Sequence, residues 1–74
     1  MKQVEIFKTN VFSEEDAKQL CQALLNNMPD CIINFDLSDC DQILRVEKHN
    51  GGINYDEVIA TINNHNFHCE VFPD

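Results

Sequence analysis

The sequence predicts an α+β domain in which a four-stranded antiparallel sheet carries two helices on one face. Three observations favour this fold. Strand-like patterns occur four times, two stretches with helical spacing separate them, and the chain has only 74 residues. The resulting order is β-α-β-β-α-β. A chain of this length has room for a single domain, residues 1–74, with one core.

The first strand is predicted over residues 3–9, where the sequence QVEIFKT alternates between two sets of side chains. We assign Val4 and Ile6 to the buried face of the sheet. This assignment places Phe7 on the opposite face, because successive side chains of a strand point to opposite sides.

The first helix is predicted to begin after Ser13, whose hydroxyl suits a cap on the free N–H groups of a helix start. Three acidic residues follow at the end where the helix dipole favours negative charge. An apolar stripe at helical spacing then continues to Met28. Pro29 ends the helix, because the residue before a proline avoids helical angles.

Two strands are predicted over residues 31–37 and 42–48, and the polar turn 38–41 joins them into a β-hairpin. A second helix is predicted to begin after Asn54 and to end near Asn66, a residue type that tolerates the left-handed conformation.

The last strand is predicted over residues 68–72. With right-handed crossovers, this order of elements gives a ferredoxin-like open-faced sandwich. The expected strand order across the sheet is 4-1-3-2.

The charge balance argues against several classes of partner. Thirteen acidic and five basic residues give a net charge of −8. Nucleic acids and anionic membranes are bound through Lys and Arg, so we expect neither as a partner. No apolar run approaches the roughly 20 residues of a membrane span, and the N-terminal segment lacks the apolar stretch of a signal peptide. The sequence therefore predicts a cytoplasmic protein.

Three segments follow a recognisable pattern: INFDL at residues 33–37, LRV at 44–46 and INNHNF at 62–67. With the element order, they make nearly the whole chain resemble the heavy-metal-associated family, small copper-chaperone-like domains with a ferredoxin-like fold. Family members tend to carry Gly-Met-x-Cys-x-x-Cys after the first strand. Here the matching residues 10–16 read NVFSEED, with Ser13 and Asp16 at the two cysteine positions.

This resemblance implies the fold of the family without its metal site. Cu(I) selects thiolate or thioether ligands, whereas a hydroxyl and a carboxylate are hard ligands. We therefore interpret Ser13 and Asp16 as parts of a helix cap, and we expect no cofactor. The sequence predicts a non-enzymatic relative, with a degenerate metal site, that acts as a protein-interaction or regulatory module.

The predicted contact surface is the sheet face away from the helices, together with the loop after the first strand. On that face we expect Phe7, Ile32, Ile43 and Phe72, and in the loop Phe12. An open antiparallel sheet face is normally polar, so a group of large apolar side chains there favours a contact site. The expected partner is another protein or a second copy of the chain.

Two other functions remain open from the sequence. One is a metal-binding or metal-transport domain with altered ligands, drawn from His65, His68, Cys69 or Asp16, since His and Cys bind Zn and Cu well. Against it stands the interpretation of two surface histidines and one buried thiol. The other is a small-molecule sensor similar to ACT domains.

The hairpin turn holds the remaining candidates. Asp36, Asp39 and Asp41 surround it, but the segment lacks the Gly and the distal Glu of a calcium loop, so we interpret it as a solvated turn. Cys40 is the thiol that we expect to be most accessible for oxidation or cross-linking.

Overall fold

The computed structural model describes residues 2–37 and 42–72 of the chain. Their elements are β1 Gln3–Thr9, α1 Glu14–Asn27, β2 Cys31–Asp36, β3 Ile43–Lys48, α2 Tyr55–Asn64 and β4 Cys69–Val71. The predicted α+β class, with four antiparallel strands and two helices, is confirmed. The predicted turn at 38–41, which includes Cys40, lies outside the described residues.

The strands follow the order β2-β3-β1-β4 across the sheet, and every neighbouring pair is antiparallel. Phe7 of β1 lies opposite Leu44 of β3 and Val71 of β4, and Leu44 lies opposite Phe35 of β2. Directly opposite residues share a face, so these four side chains point to the same side of the sheet.

Both helices cover that side. Helix α1 packs on β2, α2 packs on β4, and the two helices contact each other. Their fully buried residues Leu20, Leu24, Val58 and Ile62 form one core with Phe7, Leu44 and Val46 of the sheet. The apolar stripe predicted for the first helix is therefore the surface that binds it to the sheet.

The face assigned to β1 from the sequence is wrong. Phe7 is fully buried beneath the helices, whereas Val4 and Ile6 point to the opposite side of the sheet. Both alternating sets of β1 contain apolar side chains, so alternation alone does not decide between them. Choosing the other set moves every side chain of the strand to the other face.

The helix-covered end of β1 is polar, and the loop before α2 satisfies it. The side-chain carbonyl of Gln3 accepts a hydrogen bond from the Ile53 N–H at 3.2 Å, and its amide donates to Glu5 at 2.9 Å. A hydrogen bond to Glu5 raises the pKa of the Tyr55 hydroxyl. These contacts explain how two polar residues occupy the covered face of a central strand.

The predicted helix ends are confirmed. The Ser13 hydroxyl accepts from the Asp16 N–H at 3.5 Å, and the Asn54 side chain accepts from the Glu57 N–H at 3.1 Å. Asn66 follows α2 with φ of 68°, in the left-handed region. Each signal lies within four residues of the helix end that it controls, which is why the sequence alone predicts it.

Candidate functional site

The sheet face that points away from the helices is the candidate site, and we call it the open face. Its side chains belong to alternate residues of the strands and of the positions just beside them: Lys2, Val4, Ile6, Lys8, Asn10, Asp30, Ile32, Asn34, Asp36, Ile43, Arg45, Glu47, His49, His68, Glu70 and Phe72. Within residues 2–37 and 42–72, neither helix covers this face, because both helices pack on the other one.

Apolar side chains form the middle of the open face. Val4 and Ile6 lie two residues apart on the central strand β1, and the Phe72 N–H donates to the Ile6 carbonyl at 2.9 Å. Ile43 is a diagonal neighbour of Ile6, and Ile32 on the edge strand is 45% exposed. The apolar surface therefore reaches all four strands.

An ion cluster lies beside these apolar residues. Glu47, whose side chain is 14% exposed, lies 3.4 Å from the Lys2 ammonium, 3.4 Å from the Arg45 guanidinium and 3.5 Å from the His49 imidazole. Its carboxylate is thus surrounded by basic side chains. Such an arrangement fixes where charge is presented on the face, although its basic side chains are exposed to solvent, which screens their attraction to Glu47.

The charges of the open face nearly balance. Its basic residues are Lys2, Lys8 and Arg45, and its acidic residues are Asp30, Asp36, Glu47 and Glu70. The other described charges are Lys18 and Lys48 against Glu5, Glu14, Glu15, Asp16, Asp56 and Glu57. The open face therefore has a formal net charge of −1, whereas the remaining described residues sum to −4.

The loop between β1 and α1 is held at its base and exposes one aromatic ring. Val11 is fully buried and its N–H donates to the Thr9 hydroxyl at 3.3 Å, while the Asn10 side chain accepts from the His68 N–H at 2.7 Å. Phe12 is 74% exposed. Its predicted role in contacts stays a prediction.

The two histidines of the metal-binding alternative have separate partners. His65 Nδ1 hydrogen-bonds to the Thr61 carbonyl at 2.9 Å, which requires the proton on that nitrogen. His68 Nε2 lies 3.5 Å from the Glu70 carboxylate on the outer side of β4. Because Nδ1 of His65 is engaged with the Thr61 carbonyl, only its Nε2 is left to bind a metal ion.

Cys69 lies in the core, where burial raises the pKa of its thiol to about 12. A protonated, buried thiol is a poor metal ligand and a poor nucleophile. In the part of the chain that the structure describes, no group of three His, Cys, Asp or Glu side chains is placed to hold a metal ion. Asp16 does not join the histidines.

A shallow groove of about 370 Å³ lies between α1 and the edge strand β2. Its apolar lining includes Cys21, Ile33 and Phe35. Burial also raises the pKa of the Cys21 thiol, and of the Cys31 thiol. Raised thiol pKa values oppose nucleophilic chemistry at neutral pH, because the thiolate is the reactive form.

No protein-family model, curated protein or solved structure matches this chain. In residues 2–37 and 42–72, neither helix is long and apolar enough to cross a membrane.

The structure brings together most of the predicted contact residues and adds two. Ile32, Ile43 and Phe72 lie on the open face as predicted. Val4 and Ile6 were missed, because they had been assigned to the core. Their one signal in the sequence is that both alternating sets of β1 contain apolar residues, Val4 and Ile6 in one set and Phe7 in the other.

Proposed function

We propose that this chain is a non-enzymatic interaction module that binds a partner protein through the open face. The observation that carries the proposal is an apolar centre on the face that carries little net charge. The open face sums to −1, whereas on the described remainder of the chain acidic residues outnumber basic residues by four. Apolar patches rimmed by polar groups are typical of protein contact sites.

Loss of water from the apolar centre favours contact at the open face. Burying apolar surface contributes roughly 25 cal/mol per Å², and this gain is largest where few charges must be stripped of water. Val4, Ile6 and Phe72 offer such a surface along β1 and β4. The flanking charges then fix the orientation of the partner and oppose unsuitable ones.

The scaffold belongs to the same proposal. We take it to be ferredoxin-like and related to heavy-metal-associated domains, with the metal loop replaced. The β-α-β-β-α-β order supports this, as does the sheet order, which reads 4-1-3-2 from the β4 edge. Ser13, at the first family cysteine position, caps α1, so this residue has a structural use that needs no metal.

Site-specific photo-cross-linking in the cells that make the chain tests the proposal. A benzophenone amino acid is introduced separately at Ile32 and at Phe72, both on the open face. After irradiation we expect a discrete cross-linked product at each position. Circular dichroism of each purified variant shows whether the substituted chain keeps its fold.

The matched control uses Leu25 of α1 and Tyr55 of α2, which are exposed by 37% and 38% on the helical side. Benzophenone at these positions should give no discrete product. Equal products at sheet and helix positions, or none at any of the four, would contradict binding through the open face.

A further inference from the structure

We propose that the edge of the sheet at β2 is a second binding site, which takes an extended peptide segment of another protein. The segment adds as a further strand beside β2 and places alternate apolar side chains in the groove between β2 and α1. Its other side chains are basic. The groove lies on the helix-covered side of the sheet, so this proposal goes beyond the contact at the open face and does not depend on it.

The two edges of the sheet differ in how they are protected. An edge strand exposes a row of backbone N–H and C=O groups, and proteins commonly guard such a row with a short strand or with Lys and Pro residues. The β4 edge has three residues, whereas β2 has six and contains neither Lys nor Pro. Among the strands that the structure describes, β2 has a neighbour on one side only, which is β3. Its other side therefore offers backbone groups with which a further strand can pair.

The helices leave an apolar strip along this same edge. Leu44 and Val46 of β3 are fully buried beneath the helices. Phe35 and Ile33, which lie directly opposite them on β2, are only partly buried. Leu37, two residues beyond Phe35, is partly buried as well. The helical layer therefore covers β3 completely and the edge strand incompletely.

The groove of about 370 Å³ is the space beside this strip. Its apolar lining includes Ala17 and Cys21 of α1 together with Ile33, Phe35 and Leu37. The side chains of a strand alternate between the two sides of its sheet, so every second side chain of an added strand points towards the helices. A lining that repeats at residues 33, 35 and 37 matches this period of two and favours a strand as the occupant of the groove.

The charges near this edge favour basic side chains on the peptide. The charged residues that line the groove are Glu14, Lys18 and Asp36, and Glu15 lines an adjoining depression with Glu14 and Lys18. Asp30 directly precedes β2 on the same edge. These residues are four acidic and one basic, and the basic residues of β3 lie one strand further from the edge. A second copy of the chain brings its own charge of −8 to the contact, whereas a basic segment is attracted to it.

Binding of a synthetic peptide to the purified chain tests the proposal. The probe is KVKVKVK, acetylated and amidated at its ends, which alternates basic and apolar residues over a length of about 23 Å. We expect saturable binding with a dissociation constant on the order of 100 micromolar, because a short flexible peptide loses conformational freedom on binding. In NMR spectra of the nitrogen-15-labelled chain, the amide signals of β2 and of residues 14–21 in α1 should shift, whereas those of β4 should not.

Variant peptides separate the parts of the proposal. EVEVEVE reverses the charge, and KKVVVKK keeps the composition but removes the alternation, so each should bind about tenfold more weakly or worse. Two further peptides carry N-methyl groups on two of the valines or on two of the lysines. A strand that pairs along one edge uses the N–H groups of alternate residues. One N-methylated peptide should therefore lose binding, and the other should keep it.

Adjacent residues of β2 give a matched pair of protein variants. Ile33→Thr removes apolar surface from the groove and should weaken binding of KVKVKVK by about fivefold or more. Ile32→Thr makes the same change on the open face and should alter the dissociation constant by less than about twofold. Threonine keeps a β-branched side chain in the strand, so both variants should fold, and their NMR spectra show whether they do.

Several results would overturn this site while leaving the proposed contact at the open face intact. No binding of KVKVKVK at millimolar concentration, or equal binding of EVEVEVE, is one such result. Weaker binding to Ile32→Thr but not to Ile33→Thr is another, because it places the peptide on the open face. Loss of binding with both N-methylated peptides, or with neither, overturns strand addition. Leu25, the cross-linking control on α1, lies outside the lining of the groove.

Discussion

The two faces of the sheet are built from the same strands but differ in use. On the helix-covered face Phe7, Leu44 and Val46 are fully buried in one core. On the open face, apolar residues such as Ile6 alternate with the ion cluster around Glu47. The comparison teaches that β1 carries apolar residues on both sides for different reasons. One side stabilises the fold, and the other is available to a partner.

The largest expected effect tests this division with two phenylalanines. Phe7→Ala should lower the free energy of unfolding by about 3–5 kcal/mol, because it removes a fully buried ring and leaves a cavity. A domain of this size has a narrow margin of stability, so the variant should be largely unfolded near 37 °C. Phe72→Ala should cost far less, because Phe72 is only partly buried. Urea denaturation followed by circular dichroism measures both, and similar losses would refute the assigned faces.

The next largest effect is the pH dependence of the free energy of unfolding, which the buried Cys69 thiol of the covered face causes. Cys69 has a pKa of about 12 in the fold against an ordinary 9.0. Its folded pKa is raised, so the stabilisation is complete below pH 9 and is lost as the pH rises from about 9 to 12. The unfolded state releases this proton first, which lowers the free energy of unfolding by up to about 1.4 kcal/mol per pH unit.

The measurement is urea denaturation of the reduced protein between pH 8 and pH 11. Cys69→Ala should be less stable at pH 8 but should lose less stability across this range than the original chain. The pKa values of Tyr55, Cys21 and Cys31 are also raised, and their contribution is common to both proteins. Identical slopes for the two proteins would mean that the Cys69 thiol is not buried as described.

The helix caps on the covered side give a smaller effect. Asn54→Ala should lower the free energy of unfolding by about 1 kcal/mol, because it leaves the Glu57 N–H without its side-chain acceptor. Ser13→Ala should cost less, since the Ser13 contact is 3.5 Å long whereas that of Asn54 is 3.1 Å. Thermal unfolding of both variants tests the ranking, and a larger loss for Ser13→Ala would reverse it.

The smallest effect belongs to the open face. Arg45→Gln removes the 3.4 Å contact with Glu47 and should change the free energy of unfolding by less than about 1 kcal/mol, because exposed ion pairs are screened by solvent. Urea denaturation at low protein concentration measures this change. A large loss of stability would show that the ion cluster serves folding rather than contact, and would remove the contrast between the faces.

Much of the architecture was predictable because its signals are local. Ser13, Asn54 and Pro29 act on backbone groups within a few residues, so the ends of the helices follow from short segments. Where the end of a strand in the structure differs from the predicted end, the difference is one residue. The predicted turn at 38–41 lies outside the described residues and stays a prediction.

The candidate site was predicted only in part. Ile32, Ile43 and Phe72 were placed on the open face because the alternate positions of their strands were assigned to the core: Ile33 and Phe35, Leu44 and Val46, and Cys69 and Val71. In β1 the alternation is ambiguous, since Val4, Ile6 and Phe7 are all large and apolar. Phe7 was therefore assigned to the contact surface although it belongs to the core.

By itself the sequence determined the six elements, their caps, the absence of the paired cysteines from residues 10–16, and the acidic balance of the chain. Only the tertiary structure decided which side of β1 the helices cover, and that most of the negative charge lies away from the open face. The physical reason is the separation along the sequence over which each effect acts. Caps and periodicity act within one turn or strand, whereas the choice of face depends on pairing with β3 and β4 and on helices that are distant in sequence.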